Sequence, residues 1–324
     1  MFRTPVNVTA SRHKIHLQSP VLSIGSCFAQ MIGQRLISNK FDALANPFGT
    51  LFNPVSIFRL LQEAVEQHLP PAESYLKRDG FYYNYLFHSD FSAPDQAGLE
   101  QQIQQALQTT RDFLERADWL IITLGTAYTY QRKSNEEIVA NCHKMPANLF
   151  SKTLLSPQEI RMRFEQLLQS LGTINNELRF IFTVSPVRHI RDTLTQNTVS
   201  KASLRLAIEQ ILEHHPEHTH YFPSYEIMMD DLRDYRFYEA DMIHPTQIAE
   251  DYIWDKWTEA YLDDETLSFL PQWYKVSKAL KHRSFHPDSA QHQKFISKTI
   301  EQLNLLSKKI DVSQEIEVLK KQLR

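Results

Sequence analysis

Glycine is scarce: seven in 324 residues, against the roughly 7% usual in globular chains. Neither a G-x-G-x-x-G stretch nor a P-loop occurs, which excludes the glycine-built nucleotide cradles. Two cysteines, Cys27 and Cys142, are too few for a disulfide framework. No run approaches the ~18 apolar residues of a membrane helix. The opening MFRTPVNVTA has no continuous apolar core of the secretory kind. A formal charge of −3 leaves no electrostatic footprint for nucleic acid. These absences describe a cytoplasmic protein with reduced thiols that binds neither nucleic acid nor membrane. The mature form of a cleaved secreted precursor would read the same way.

With 42% hydrophobic and 23% charged residues, the chain has a globular composition. Four apolar, β-prone segments read as buried strands: Val21–Ile24, Trp119–Leu124, Arg179–Val184 and, more weakly, His220–Phe222. Continuous apolar runs, rather than alternation, suit a parallel sheet covered on both faces. Helical patterns lie between and after them, at Gln30–Leu36, Val55–His68, Leu99–Arg116, Pro157–Leu171, Ser200–His214 and Thr246–Tyr261. Strand–helix alternation predicts an α/β fold, a doubly wound, mainly parallel sheet. Tyr75–Asp95 is rich in aromatics and reads as a hairpin near Asp79-Gly80 or as a loop over a cleft. Beyond Leu270 the chain is helical and charged. One or two amphipathic helices follow from about Gln291, with a breaker at Asp311-Val-Ser313. They would pack on the body or join two copies in a homodimer. The expected division is 1–270 and 271–324.

Chemistry concentrates where the first strand ends. In VLSIGSCFAQMIG (Val21–Gly33), Ser26 stands just past an apolar run, at the carboxyl end where open parallel sheets bind ligands. The next helix aims its free N–H groups and positive dipole end there. A nucleophilic serine suits that place, because its own N–H can help hold an oxyanion. A helix N-cap suits it equally. Far along the chain, EADMIHPTQ (Glu239–Gln247) carries Asp241 three residues before His244. An attacking serine needs an imidazole to take its proton and a carboxylate to orient that ring. The order Ser26…Asp241…His244 supplies all three.

The sequence resembles the GSCFA family, a branch of the SGNH-type hydrolases. The resemblance spans most of residues 15–290. It rests on SIGSCFAQMIG, NPFGTLFNP (Asn46–Pro54), ITLGTAY, ANCHKMP (Ala140–Pro146), TVSPVRHIRD (Thr183–Asp192), PSYEIMMDDLRDYRFY and DMIHPT. It implies a three-layer α/β/α, SGNH/flavodoxin-like fold and ester hydrolysis by Ser26, His244 and Asp241, without metal or cofactor. The superfamily's G-D-S block becomes Gly25-Ser26-Cys27, with no aspartate before the serine. For the oxyanion hole the resemblance offers the Gly49 N–H and, in place of the G-x-N-D asparagine missing after Gly125, either Asn141 or Thr126.

The expected substrate is a small-molecule or O-acylated carbohydrate ester. The missing asparagine favours the alternative of a catalytically degenerate binding protein on the same fold. Cys27 is a second candidate nucleophile, since a helix N-terminus lowers thiol pKa; otherwise it fills space inside. Arg188 and His189 follow a strand end and could bind an anionic substrate group, or join an ion-pair network with DDLRD (Asp230–Asp234). Lys201 and Asn197 belong to the same zone. EHHPEHTH (Glu213–His220) reads as a solvated loop, with a metal site as its rival. Trp254 and Trp257 read as core.

Overall fold

The computed structural model describes residues 4–282 and 284–323. The chain opens with β1 (Val21–Gly25), α1 (Cys27–Ser38), β2 (Ala43–Ala45) and α2 (Pro54–Glu66). A hairpin, β3 (Tyr75–Arg78) and β4 (Phe81–Asn84), leads to α3 (Gln96–Leu114) and β5 (Trp119–Leu124). A small antiparallel sheet follows, made of β6 (Tyr128–Arg132), β7 (Ile138–Val139) and β8 (Phe150–Leu154). Then come α4 (Pro157–Gly172), β9 (Arg179–Val184), α5 (Thr193–His214), β10 (Thr219–Tyr221) and the short α6 (Ser224–Glu226). The chain closes with α7 (Gln247–Tyr261), α8 (Asp264–Leu280), α9 (Ala290–Leu306) and α10 (Ser313–Lys320).

The central sheet is parallel, in the order β10-β9-β5-β1-β2. Counting only its own five strands along the chain, the order is 2-1-3-4-5, the flavodoxin-like winding. Helices cover both faces, so the expected three-layer α/β/α class is observed. Side chains alternate across the sheet with period two. Leu22, Ile24, Leu120, Ile122, Leu124, Phe180 and Phe182 join the layer of α2 to α5. Val21, Trp119, Ile121 and Ile181 join that of α1 and α7. Phe164 of α4 is fully buried and meets Phe180 and Phe182 edge-on at 5.2 and 5.1 Å. Burying one such ring contributes about 1.5–3 kcal/mol.

Ser26 caps α1 at once, accepting the Phe28 N–H, so the helix begins at Cys27 and not at Gln30. The fourth strand lies at Thr219–Tyr221, and α5 starts at Thr193, earlier than its apolar pattern does, because its first turns are polar. Arg78 pairs with Phe81 across Asp79-Gly80, which makes the expected hairpin. Helices α9 and α10 pack on the body: Ile296, Leu303, Leu306 and Leu319 share a core with Trp254 and Trp257. Lys40–Glu315 (2.5 Å) and Lys309–Glu265 (2.8 Å) tie that extension down. Helix α8 runs unbroken across the 270–271 division. No described helix is long and apolar enough to cross a membrane.

Candidate active site

The winding changes direction between β1 and β5, and there an open parallel sheet leaves a crevice at its carboxyl edge. Gly25 ends β1 with φ +134°, and a Cβ on it would lie 2.1 Å from the Thr123 carbonyl oxygen of β5. Only glycine permits that approach. The loop from Asn46 to Asn53 is laced between the two strand ends. The Leu51 N–H donates to Gly25 O (2.8 Å), and the Gly125 and Thr126 N–H groups donate to Phe52 O (2.7 and 3.0 Å). Ser26, Gly49 and Thr126 thereby stand on segments that these bonds join at one edge of the sheet.

Ser26 is 1% exposed. Its Oγ accepts from Phe28 N–H at 3.3 Å, and its own N–H donates to Thr123 O at 3.2 Å. The Gly49 N–H donates to Asn46 O at 2.9 Å. Both backbone donors expected of an oxyanion hole are therefore committed within the chain. Gly49 has φ +75° and its Cα abuts the His88 side chain, which a Cβ would meet at 2.5 Å. Thr126 Oγ1 is engaged as well, 3.0 Å from Ser200 Oγ and accepting the Tyr128 N–H at 3.0 Å. Asn141 sits in a turn where its Oδ1 accepts the His143 N–H at 2.8 Å. Its amide NH₂ makes no hydrogen bond to any described residue. That turn is anchored on Tyr85 O by the Ala140 and Asn141 N–H groups, in the segment that leads to His88.

Asp241 and His244 meet. Asp241 Oδ2 lies 2.6 Å from His244 Nδ1, while Oδ1 accepts the Ile243 and His244 N–H groups at 2.9 and 3.0 Å. Met242 turns the chain between them with φ +60°. The bond to His244 and the two backbone donors pull the Asp241 carboxyl down to about 2, so it stays ionised across ordinary pH. Both side chains are about half exposed. The segment enters α7, which packs beside α1: Arg35 reaches Asp251 at 2.5 Å and Trp254 at 5.9 Å. Ser26 Oγ and His244 share no hydrogen bond.

Cys27 is half-buried, and burial raises its thiol above the usual range; a raised pKa makes a poorer thiolate nucleophile. Arg188 carries no ion pair with the Asp230–Asp234 segment; its Nη2 donates to Met229 Sδ at 3.0 Å. His189 is held otherwise, with Nδ1 3.1 Å from Asp192 Oδ2, and Lys152 pairs with the same carboxylate. In the Glu213–His220 segment, His215 Nε2 meets Glu165 Oε2 at 2.9 Å, and no metal-ready group of three is found among the described residues. Trp254 and Trp257 are buried and stacked at 5.2 Å.

Two residues of this edge carry more than the sequence suggested. Lys201 is 3% exposed, and burial lowers its ammonium to about 7. Its position within a helical run of Leu204, Ala207, Ile208 and Ile211 was the available signal. Asn46, 7% exposed with φ +42°, accepts the Gly25 N–H on Oδ1 at 2.8 Å. Its buried Nδ2 has no acceptor.

The family model described as the GSCFA family matches residues 20–257. A second, described as GSCFA domain protein, C-terminal domain, matches residues 273–324. The comparison with curated proteins finds no match.

Proposed function

The chain belongs to the GSCFA family, and from that premise we propose that it is an ester hydrolase of SGNH type acting through Ser26, His244 and Asp241. The observation that carries this reading is the 2.6 Å Asp241–His244 pair on the segment entering α7, beside the helix that Ser26 caps. Ser26 Oγ attacks the ester carbonyl carbon and its proton passes to His244 Nε2. Asp241 holds the Nδ1 proton and steadies the imidazolium. The tetrahedral intermediate expels the alcohol, which takes the proton from His244. Water, deprotonated by the same imidazole, then releases the acid and frees Ser26. Of the two expected side-chain donors, Asn141 and Thr126, the Asn141 amide is the one left free for the oxyanion. Residues 1–270 form the catalytic unit and 271–324 a helical extension. The substrate class is a small or carbohydrate-borne ester.

A binding protein without turnover is the second reading. It is favoured by the deep burial of Ser26 and by the internal bonds of the Ser26 and Gly49 N–H groups. A fluorophosphonate probe separates the two. Labelling of the wild type that vanishes in Ser26→Ala and falls sharply in His244→Ala is the result expected of the hydrolase. An unlabelled wild type, with the fold intact by circular dichroism, would leave the binding protein.

A further inference from the structure

Beside the His244 segment lies a cavity of about 200 Å³ lined by Arg188, Met229, Arg233, Asp234, Tyr235 and Tyr238. Its cations are under-used. Arg188 is half-buried at the exit of β9, and its side chain meets the Met229 thioether at 3.0 Å and the Tyr238 hydroxyl, with no carboxylate between them. A thioether accepts weakly, whereas a guanidinium offers five donors in a planar fork. Arg188 also lies over the Tyr238 ring at 5.4 Å, and these contacts leave most of the fork's five donors open. Arg233 is exposed and makes no ion pair with a described residue. The one carboxylate on the wall, Asp234, is already taken by Arg236, through Nη2 at 2.7 Å and the backbone N–H at 2.9 Å. In the adjoining cleft, which Asp230 and Asp231 also line, Asp231 receives the Tyr252 hydroxyl at 2.7 Å. The cavity therefore presents two guanidinium groups with no carboxylate committed to either.

Its position gives that charge a use. Tyr238 pairs with Pro245 in an antiparallel bridge, and the Glu239 N–H donates to His244 O at 2.8 Å. The tyrosine under Arg188 is thus one wall of the cavity and also the base of the loop that holds His244. The two arginines can grip oxygens of one anion, and Arg188 can do so bidentately.

We propose that this cavity is a subsite for an oxyanion, a carboxylate or phosphate carried by the substrate, and that it selects anionic esters. The selection of esters rests on the hydrolase reading above; the anion subsite does not. His189, already held by Asp192, takes no part in it.

Calorimetric titration of succinate, inorganic phosphate and neutral dimethyl succinate into the full chain tests the subsite directly. At least one anion should bind, the neutral diester should not, and Arg188→Gln should weaken binding about tenfold to a hundredfold. Arg188→Lys should recover part of the loss, and Arg191→Gln, an exposed neighbour outside the cavity, should leave affinity unchanged. Which of the two anions binds more tightly identifies the carboxylate or phosphate source. Hydrolysis of 4-nitrophenyl hemisuccinate against 4-nitrophenyl acetate tests the selection: Arg188→Gln should lower kcat/KM for the first about tenfold or more and spare the second. No anion binding, or equal binding to wild type and Arg188→Gln, would overturn the subsite. An unchanged ester ratio would overturn the selection. Anion binding lost in Arg188→Gln, with neither ester hydrolysed, would uphold the subsite and remove the hydrolase.

Discussion

Lys201 Nζ lies 2.8 Å from the carbonyl oxygen of Ser185 and 3.0 Å from that of Val187, so a helix lysine closes the exit of β9. No carboxylate forms an ion pair with it among the described residues. Glu226 acts on it only as a neighbouring charge, and the Tyr225 ring lies 5.4 Å away. The site keeps a lysine because two carbonyls at a strand end need donors, and an amine supplies them with or without its extra proton.

The stability of the fold should therefore depend on pH through this residue. Folded Lys201 titrates at about 7, below the ~10.4 of an unfolded lysine. Below pH ~7 both states hold the proton. Between roughly 7 and 10.4 only the unfolded chain does, so stability rises with pH there, by at most ~1.4 kcal/mol per unit. Urea unfolding of wild type and Lys201→Met between about pH 6.5 and 9 measures it. The wild type should gain on the variant as pH rises; parallel profiles would show that the lysine keeps an ordinary pKa in the fold.

Asp241→Asn should separate catalysis from folding. Asparagine can still accept the Ile243 and His244 N–H groups, and the site is exposed, so the melting temperature should hardly move. The imidazole would lose the carboxylate that fixes its tautomer and stabilises its cation, at a cost of about 10³–10⁴ in kcat. KM should change little. A variant with near-wild-type kcat would remove Asp241 from the reaction.

The sheet was legible because β1, β5 and β9 are continuous apolar runs. Strand β2 was not, since Ala43–Ala45 is too short to display a pattern. The β6–β8 sheet was missed because it is half polar and lies on the surface. In the site, Ser26, Asp241 and His244 announced themselves by residue type and chain order. The commitments of the backbone were invisible: nothing in SIGSCFA says that the Ser26 N–H turns back to Thr123. Asn46 was within NPFG, yet its side-chain bond to the Gly25 N–H depends on pairing β2 with β1, a contact between separate segments.

Gly25→Ala tests the close approach of β1 to β5. The Thr123 carbonyl oxygen 2.1 Å from the added Cβ is backbone in the middle of the sheet and cannot yield cheaply, so the loss should exceed about 4 kcal/mol and leave little folded protein. Gly80→Ala is the control, with a positive φ of 84° but nothing within 4 Å of its Cβ. It should cost about 1–2 kcal/mol and remain folded. Similar melting curves for the two variants would mean that Gly25 does not approach Thr123 so closely.

Asn141 and Thr126 should part along a different line, rate against stability. Thr126 Oγ1 joins Ser200 to the Tyr128 N–H, so Thr126→Ala removes a buried junction and should cost about 1–3 kcal/mol of stability. Its kcat should stay near wild type, because a hydroxyl held by two partners is poorly placed to turn toward an oxyanion. Asn141 Oδ1 is fixed by the His143 N–H, which holds the amide plane and leaves the NH₂ facing away from that bond. A donor that meets the developing charge and not the neutral ester appears in kcat more than in KM. Asn141→Ala should therefore lower kcat about 10²–10³-fold with a modest change in KM. Asn141→Asp should do no better, since it replaces the donor with a negative charge. Equal kcat in wild type and Asn141→Ala would shift the hole to Asn46, whose buried Nδ2 is a side-chain donor beside Gly25 without an acceptor.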